Sequence, residues 1–134
     1  MAETKSQELE QKIVATSVID GKVKAYQATI KLASQASGDI VVIAKAKQGE
    51  KFIGGLISTD TSLGTSTVKI GTAADDDKYK ADAVFTTTDT PTNFGKVDAM
   101  KALEANEDII LTVGTAALPA SGYVKITMFF AVNN

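Results

Sequence analysis

The sequence predicts an all-β fold, a β-sandwich or jelly roll of about eight short antiparallel strands. Short segments rich in Thr, Val and Ile recur along the chain and are separated by turn residues. Strands do not alternate with long helices, which disfavours a fold built on a parallel sheet. The chain has 134 residues, of which 44% are apolar and 22% are charged. This length and composition are typical of one globular domain with its own core.

Alternating or continuously apolar segments give the strand assignment. In chain order, the predicted strands span 13–19, 22–32, 40–44, 51–59, 67–72, 79–85, 109–113 and 123–132. Asp20-Gly21 is a strong two-residue turn signal after the first of them. Segment 40–44 is continuously apolar, so we expect a strand buried on both faces. Gly54-Gly55 inside segment 51–59 predicts a β-bulge or a close approach of another backbone.

Two regions depart from the strand pattern. Residues 1–12 are rich in Glu, Gln and Lys and offer little to bury, which predicts an extended N-terminal arm. Residues 97–105 combine helix-favouring residues with apolar spacings of three, which predicts a short helical segment. The predicted organisation is therefore a flexible arm over 1–12 and a single sandwich domain over 13–134.

The composition argues against several classes of function. The chain has no Cys and no His, so thiolate chemistry and the commonest general base and metal ligand are missing. Every basic residue is Lys, and the net charge is −2, which disfavours nucleic-acid binding. No apolar run approaches the roughly 20 residues that span a bilayer. We expect no enzymatic activity, no cofactor, no nucleic acid and no membrane contact, and synthesis in the cytoplasm.

Two motifs invite a chemical interpretation that the sequence does not favour. The glycines of segment 49–55 have the spacing of a phosphate-binding loop, but the Lys and Ser/Thr after the second glycine are missing. Asp75-Asp76-Asp77 could contribute oxygens to a cation site, yet the alternating ligand spacing of a calcium loop is absent. A solvated turn is the favoured interpretation of the three aspartates, and a cation there stays open.

The last predicted strand is the one feature that indicates a partner. Val124, Ile126, Met128 and Phe130 share one face, so Phe129 points the other way together with Tyr123 and Thr127. Either this strand is central and covered on both faces, or Phe129 lies in an interface with another subunit or a partner.

Several segments together resemble a small virion protein that recurs in tailed bacteriophages and prophages. The resemblance spans about 13–132 and is carried by the segments Gly38-Asp39-Ile40-Val41-Val42, Lys51-Phe52-Ile53-Gly54-Gly55, Asp60-Thr61-Ser62-Leu63-Gly64, Val68-Lys69-Ile70-Gly71-Thr72-Ala73 and Asp76-Asp77-Lys78-Tyr79. It implies a jelly-roll-like module on the virion that decorates the capsid or forms the base of a head fibre. The resemblance brings no catalytic residues.

The leading hypothesis is a capsid decoration protein at the capsid surface, homo-oligomeric and bound to the major capsid protein. The expected contact residues are Glu3, Lys5, Glu8 and Leu9 of the arm together with Tyr123 and Phe129. Two alternatives stay open at this point. One is a tail, neck or head-fibre-base component. The other is a carbohydrate-binding module, which the absence of Trp disfavours.

Overall fold

The computed structural model describes residues 22–132, which form two antiparallel four-stranded sheets. The strands are β1 Lys22–Lys31, β2 Ile40–Ala46, β3 Lys51–Thr59, β4 Thr67–Gly71, β5 Lys80–Val84, β6 Thr92–Phe94, β7 Glu107–Gly114 and β8 Tyr123–Val132. Sheet A has the order β1-β8-β3-β6, and sheet B has the order β2-β7-β4-β5. The predicted all-β class is confirmed. Within this part of the chain, no helix is long and apolar enough to cross a membrane.

The strand pairing is that of a jelly roll. β1 pairs with β8, β2 with β7, β3 with β6 and β4 with β5, as in one long hairpin folded at its midpoint. This hairpin is rolled so that β3 also pairs with β8 and β4 with β7, which closes the two sheets. The rolled hairpin with two Greek keys defines the fold.

Period-two alternation places the core between the sheets. On β8, the predicted inward set Val124, Ile126, Met128 and Phe130 is buried. Val68 and Ile70 on β4 meet them from the other sheet and are also buried, as the alternation predicts. The register of β3 on β8 shifts between Phe52 and Gly54, which confirms the predicted bulge.

The prediction that segment 40–44 is buried on both faces is wrong. Ile40 is 58% exposed and Val42 is 50% exposed, because β2 is an edge strand of sheet B and both side chains lie on its outer face. Ile110 lies opposite Val42 on the same outer face, outside the core cluster, but it is buried. Beside Ile110 in register, the backbone of the turn after β4 approaches Gly71 so closely that a Cβ there would lie 2.2 Å from the Asp75 carbonyl oxygen.

Three further segments refine the predicted elements. The helical segment is a single 3₁₀ turn at Val97–Ala99, since the backbone beyond it bonds to the β2–β3 turn: the Leu103 N–H donates to the Glu50 carbonyl. β6 was not predicted, because its three residues carry no readable alternation. The predicted strand 13–19, its Asp20-Gly21 turn and the predicted arm 1–12 lie outside the described residues.

Candidate functional site

The outer face of sheet A belongs to four strands, none of which carries a carboxylate. Four strands contribute outward residues, and these are Val23, Ala25, Gln27, Thr29 and Lys31 on β1; Tyr123, Lys125, Thr127, Phe129 and Ala131 on β8; Lys51, Gly54, Leu56 and Ser58 on β3; and Asn93 on β6. Apolar residues gather at one end of this face and polar residues at the other. An apolar area with a polar margin is typical of a protein interface.

Phe129 lies at the centre of the apolar end. Its cross-strand neighbours are Ala25 on β1 and Gly54 on β3, so no large side chain stands directly beside it. A Cβ on Gly54 would meet nothing within 4 Å, which means that the space next to Phe129 on this side is open. Val23 (63% exposed) and Ile53 (42% exposed) extend the apolar area. The strand is therefore central in its sheet, as one alternative holds, but on its outer face the described residues leave Phe129 half-buried and Tyr123 exposed.

Tyr123 begins β8 at the opposite, polar end of the face. Its backbone N–H donates to Asp60 Oδ1 at 2.9 Å, and its carbonyl accepts from Thr59 Oγ1 at 2.9 Å. The ring is not buried by these contacts and remains 46% exposed. The loop after β3 is thus fastened to the first residue of β8, with the aromatic side chain free on the surface.

An open cavity of about 330 Å³ lies at this end of the face and is lined by Ser58, Thr59, Asp60, Asp89, Pro91, Tyr123 and Lys125. The Tyr123 N–H and the Thr61 hydroxyl both donate to Asp60, and these hydrogen bonds lower its pKa below the ordinary 3.8. Asp89 has a φ of 56°, in the left-handed region that non-glycine residues seldom adopt. Its N–H donates to the Thr59 carbonyl at 2.8 Å, which holds this conformation next to Asp60.

The structure describes two of the six predicted contact residues. Tyr123 and Phe129 share the outer face of sheet A, whereas Glu3, Lys5, Glu8 and Leu9 lie outside the described residues. Sequence reasoning missed the cavity, because Asp60 and Asp89 lie on loops 29 positions apart and only the fold brings them together. The residues at 60–64 include Asp, Ser and Gly, which favour a loop, but such a composition does not indicate a site.

The acidic turn at 75–77 is occupied by internal contacts. Asp76 pairs with Lys69 at 2.9 Å and Asp77 pairs with Lys96 at 3.4 Å. The Asp75 carbonyl accepts the N–H groups of Thr72 and Lys78, which closes the turn. Within residues 22–132, no three acidic side chains converge in a way that could hold a metal ion.

Comparison with solved structures places the fold. A chain in the capsid asymmetric unit of cyanophage Pam1 superposes with a TM-score of 0.73 at 15% identity, covering 89% of this chain and 91% of that one. A chain in the capsid of Ralstonia phage GP4 gives 0.67 at 17% identity, covering 92% and 94%. A chain in the acid-stable capsid of Helicobacter pylori bacteriophage KHP30 gives 0.67 at 10% identity, covering 87% and 92%.

Comparison by sequence adds no relative. No protein-family model matches the chain, and no curated protein sequence does. The chain therefore has the fold of chains found in three phage capsids, over nearly the full length of both partners in each comparison.

Proposed function

We propose that this chain is a structural protein of a tailed-phage virion, and specifically a decoration protein that binds the assembled shell of the major capsid protein. The observation that carries the proposal is the likeness in fold, along nearly the whole chain, to chains of three phage capsids. The identities of 10–17% make this a likeness of fold alone. The step to function rests on what the surface of this chain offers.

The outer face of sheet A is the proposed docking face. Phe129 supplies an aromatic anchor with open space beside it, and Val23 and Ile53 continue the apolar area. Aromatic anchors at the centre of a desolvated patch contribute most of the binding free energy of many interfaces. The competing apolar pair on sheet B, Ile40 and Val42, shares its outer face with Thr112 and the ion-paired Lys69 and is the poorer candidate.

Binding to the assembled shell would stabilise the shell by mass action. A protein that binds the assembled state and not its dissociated subunits shifts the equilibrium toward assembly. Because a shell repeats its sites by symmetry, a self-associating decoration protein would gain avidity from several attachment points. Residues 1–12, with Glu3, Lys5, Glu8 and Leu9, are proposed as an arm that adds contacts to the shell.

The test starts from capsids of the phage that encodes this chain, prepared with its gene deleted. Purified full-length protein is added, and bound protein is quantified after the capsids are sedimented. We expect saturable binding in a fixed ratio to the major capsid protein, together with a higher temperature of capsid disruption. Electron microscopy of wild-type virions shows the position, and density at the tail, neck or fibre base and not on the shell would overturn the proposal.

Two variants test the docking face. Phe129→Ser should weaken shell binding by tenfold or more, because an anchor residue is worth about 2 kcal/mol or more. Val84→Ser is the matched control, since Val84 is 55% exposed on the edge of sheet B, away from the docking face. Equal losses in the two variants, or none in the first, would place the contact elsewhere. Deleting residues 1–12 should weaken shell binding without lowering the melting temperature of the free protein.

A further inference from the structure

We propose that the cavity beside Tyr123 accepts a basic side chain, preferably the guanidinium of an arginine, from the protein on which the docking face sits. This inference rests on the proposed function, because it takes the occupant from the protein partner of the same face. It adds a specific chemical group on the partner and a specific pocket on this chain.

The lining of the cavity matches a planar cation. Tyr123 lines the cavity and is exposed, and aromatic faces attract guanidinium groups within about 6 Å. Asp60 and Asp89 supply two carboxylates, and a carboxylate can accept two parallel N–H bonds from a guanidinium. Neither carboxylate forms an ion pair with a residue of the described chain, so both can accept a partner's charge.

The Asp60 carboxylate and the Asp89 backbone are held in place before any ligand arrives. The carboxylate of Asp60 is held at Oδ1 by hydrogen bonds from the Tyr123 N–H and the Thr61 hydroxyl. The backbone of Asp89 is fixed by its hydrogen bond to Thr59. A preorganised pocket costs less conformational entropy on binding than a mobile one.

The charge of Lys125 provides a test that distinguishes a cationic ligand from other ligands. Lys125 lines the cavity and its charge acts on Asp60, although no ion pair within 4.0 Å joins them. Two carboxylates and one ammonium leave the lining with a net charge of −1, which favours a cation over an anion. Because Lys125 repels a second cation, removing its charge should strengthen binding. A sugar ligand, which would use Lys125 as a donor, predicts the opposite.

The location ties the cavity to the docking face. Tyr123 and Phe129 are six residues apart on β8, which corresponds to about 20 Å along the strand. Both side chains point outward from the same sheet. A partner surface of ordinary interface size would cover both, with an apolar contact at one end and a charged contact at the other.

The experiment uses ¹⁵N-labelled full-length protein titrated with N-acetyl-arginine methylamide and followed by NMR. We expect saturable shifts of the amides of 58–61, 89–91 and 123–125 with a millimolar dissociation constant, as suits one side chain. The neutral isostere N-acetyl-citrulline methylamide should bind at least about fivefold more weakly, because it lacks the charge that pairs with the carboxylates. Equal binding of the two compounds, or no saturable shift with the first, would overturn the inference. A methyl glycoside that binds there in place of arginine would do the same.

Three variants test which residues of the cavity bind the arginine compound. Asp89→Asn should weaken arginine binding about three- to tenfold while preserving the fold, since Asn also tolerates the left-handed conformation. Lys125→Ala should strengthen it about twofold or more. Asp98→Asn is the matched control, an exposed carboxylate outside the cavity that should leave binding unchanged. Weaker binding in Lys125→Ala would contradict the assignment of a cationic ligand.

The two proposals fail separately. Arginine binding by a protein that virions do not carry on their shell would overturn the decoration role and leave the pocket standing. A protein that decorates the shell but shows no arginine binding at the cavity would overturn the pocket and leave the decoration role standing.

Discussion

The hydroxyl of Tyr79 donates a hydrogen bond to the carboxylate of Glu107, although the tyrosine ring is fully buried. Burial, and then this hydrogen bond, raises the pKa of the Tyr79 phenol well above 10.0, so the phenol stays neutral and remains a donor. A second pair repeats the arrangement, with Tyr26 donating to Glu50 at 2.5 Å. Both rings pack edge-on against Phe130, at centroid distances of 6.3 and 5.4 Å. The aromatic end of the core is therefore closed by two tyrosine–glutamate pairs.

Tyr79→Phe should lower the free energy of unfolding by about 1–2 kcal/mol, because it removes a hydrogen bond to a charged acceptor and keeps the ring. Urea denaturation monitored by circular dichroism measures the change. Tyr123→Phe is the control, since the structure gives the hydroxyl of this exposed ring no hydrogen bond within residues 22–132, and it should change the midpoint little. A Tyr79→Phe protein as stable as the wild type would mean that water replaces the phenol without cost.

Glu50 should make stability depend on acid pH. Burial raises the pKa of Glu50, but the hydrogen bonds from the Lys47 N–H, the Tyr26 hydroxyl and the Lys24 ammonium outweigh it, and the net pKa lies below 4.5. A carboxyl whose pKa is lower in the folded state stabilises above its unfolded value and loses that contribution as pH falls through the folded value.

Accordingly, the free energy of unfolding should fall as the pH drops below about 4.5, and Glu50→Gln should show a shallower fall. At pH 7 the same variant should be less stable by about 1–3 kcal/mol, since the amide cannot replace a charged acceptor. Thermal melts between pH 3 and 7 measure both effects. Glu104→Gln, at an exposed carboxylate, is the control. Parallel pH curves for wild type and Glu50→Gln would assign the acid sensitivity to another group.

The sequence predicts the elements of this fold whose residues alternate, and it misses those that tertiary contacts define. The inward-facing residues of β8 could be predicted, because apolar residues recur at every second position from Val124 to Phe130. β6 could not, because Thr92–Phe94 becomes a strand only by pairing with Gly55 to Ile57 on β3. A Cβ on Gly55 would collide with the Phe94 ring, so these two residues define the contact together.

The candidate site was predicted in part. Alternation alone places Phe129 and Tyr123 on the face opposite the core, and the structure confirms that placement. The prediction for the apolar run 40–44 was wrong, because a hydrophobic run does not show whether its strand is central or at the edge of a sheet. The place of Asp89 in the cavity could not be predicted from the sequence for another reason. Asp89 is held near Asp60 by its backbone hydrogen bond to Thr59, and no sequence motif indicates that contact.

The acidic turn should behave as a structural turn and not as a cation site. Asp76→Asn removes the carboxylate that pairs with Lys69, and both side chains are partly exposed, so the cost should stay within about 1 kcal/mol. Millimolar calcium should leave the melting temperature of the wild type unchanged, since Asp76 and Asp77 are already paired with lysines. A rise of several degrees with calcium, lost in Asp76→Asn, would show that the turn binds the ion.

Two glycines of sheet B offer the sharpest test of how the acidic turn packs. A Cβ on Gly71 would lie 2.2 Å from the Asp75 carbonyl oxygen and 2.4 Å from the Asp76 carbonyl carbon, both of them backbone atoms. A Cβ on Gly114 would lie 2.6 Å from the Thr67 hydroxyl oxygen, which can rotate away. Gly71→Ala should therefore cost about 2–3 kcal/mol, and Gly114→Ala less than about 1.5 kcal/mol.

Chemical denaturation measures the loss in free energy of unfolding for both variants, and hydrogen exchange shows which segment opens. If the turn over Gly71 is what buries Ile110, Gly71→Ala should speed exchange of the amides of 72–78, whereas Gly114→Ala should not. Equal losses in free energy of unfolding in the two variants would mean that the turn backbone moves aside as easily as the Thr67 side chain. In that case Ile110 would be covered by its neighbours within the sheet, and the outer face of sheet B would hold a wider apolar area than the structure describes.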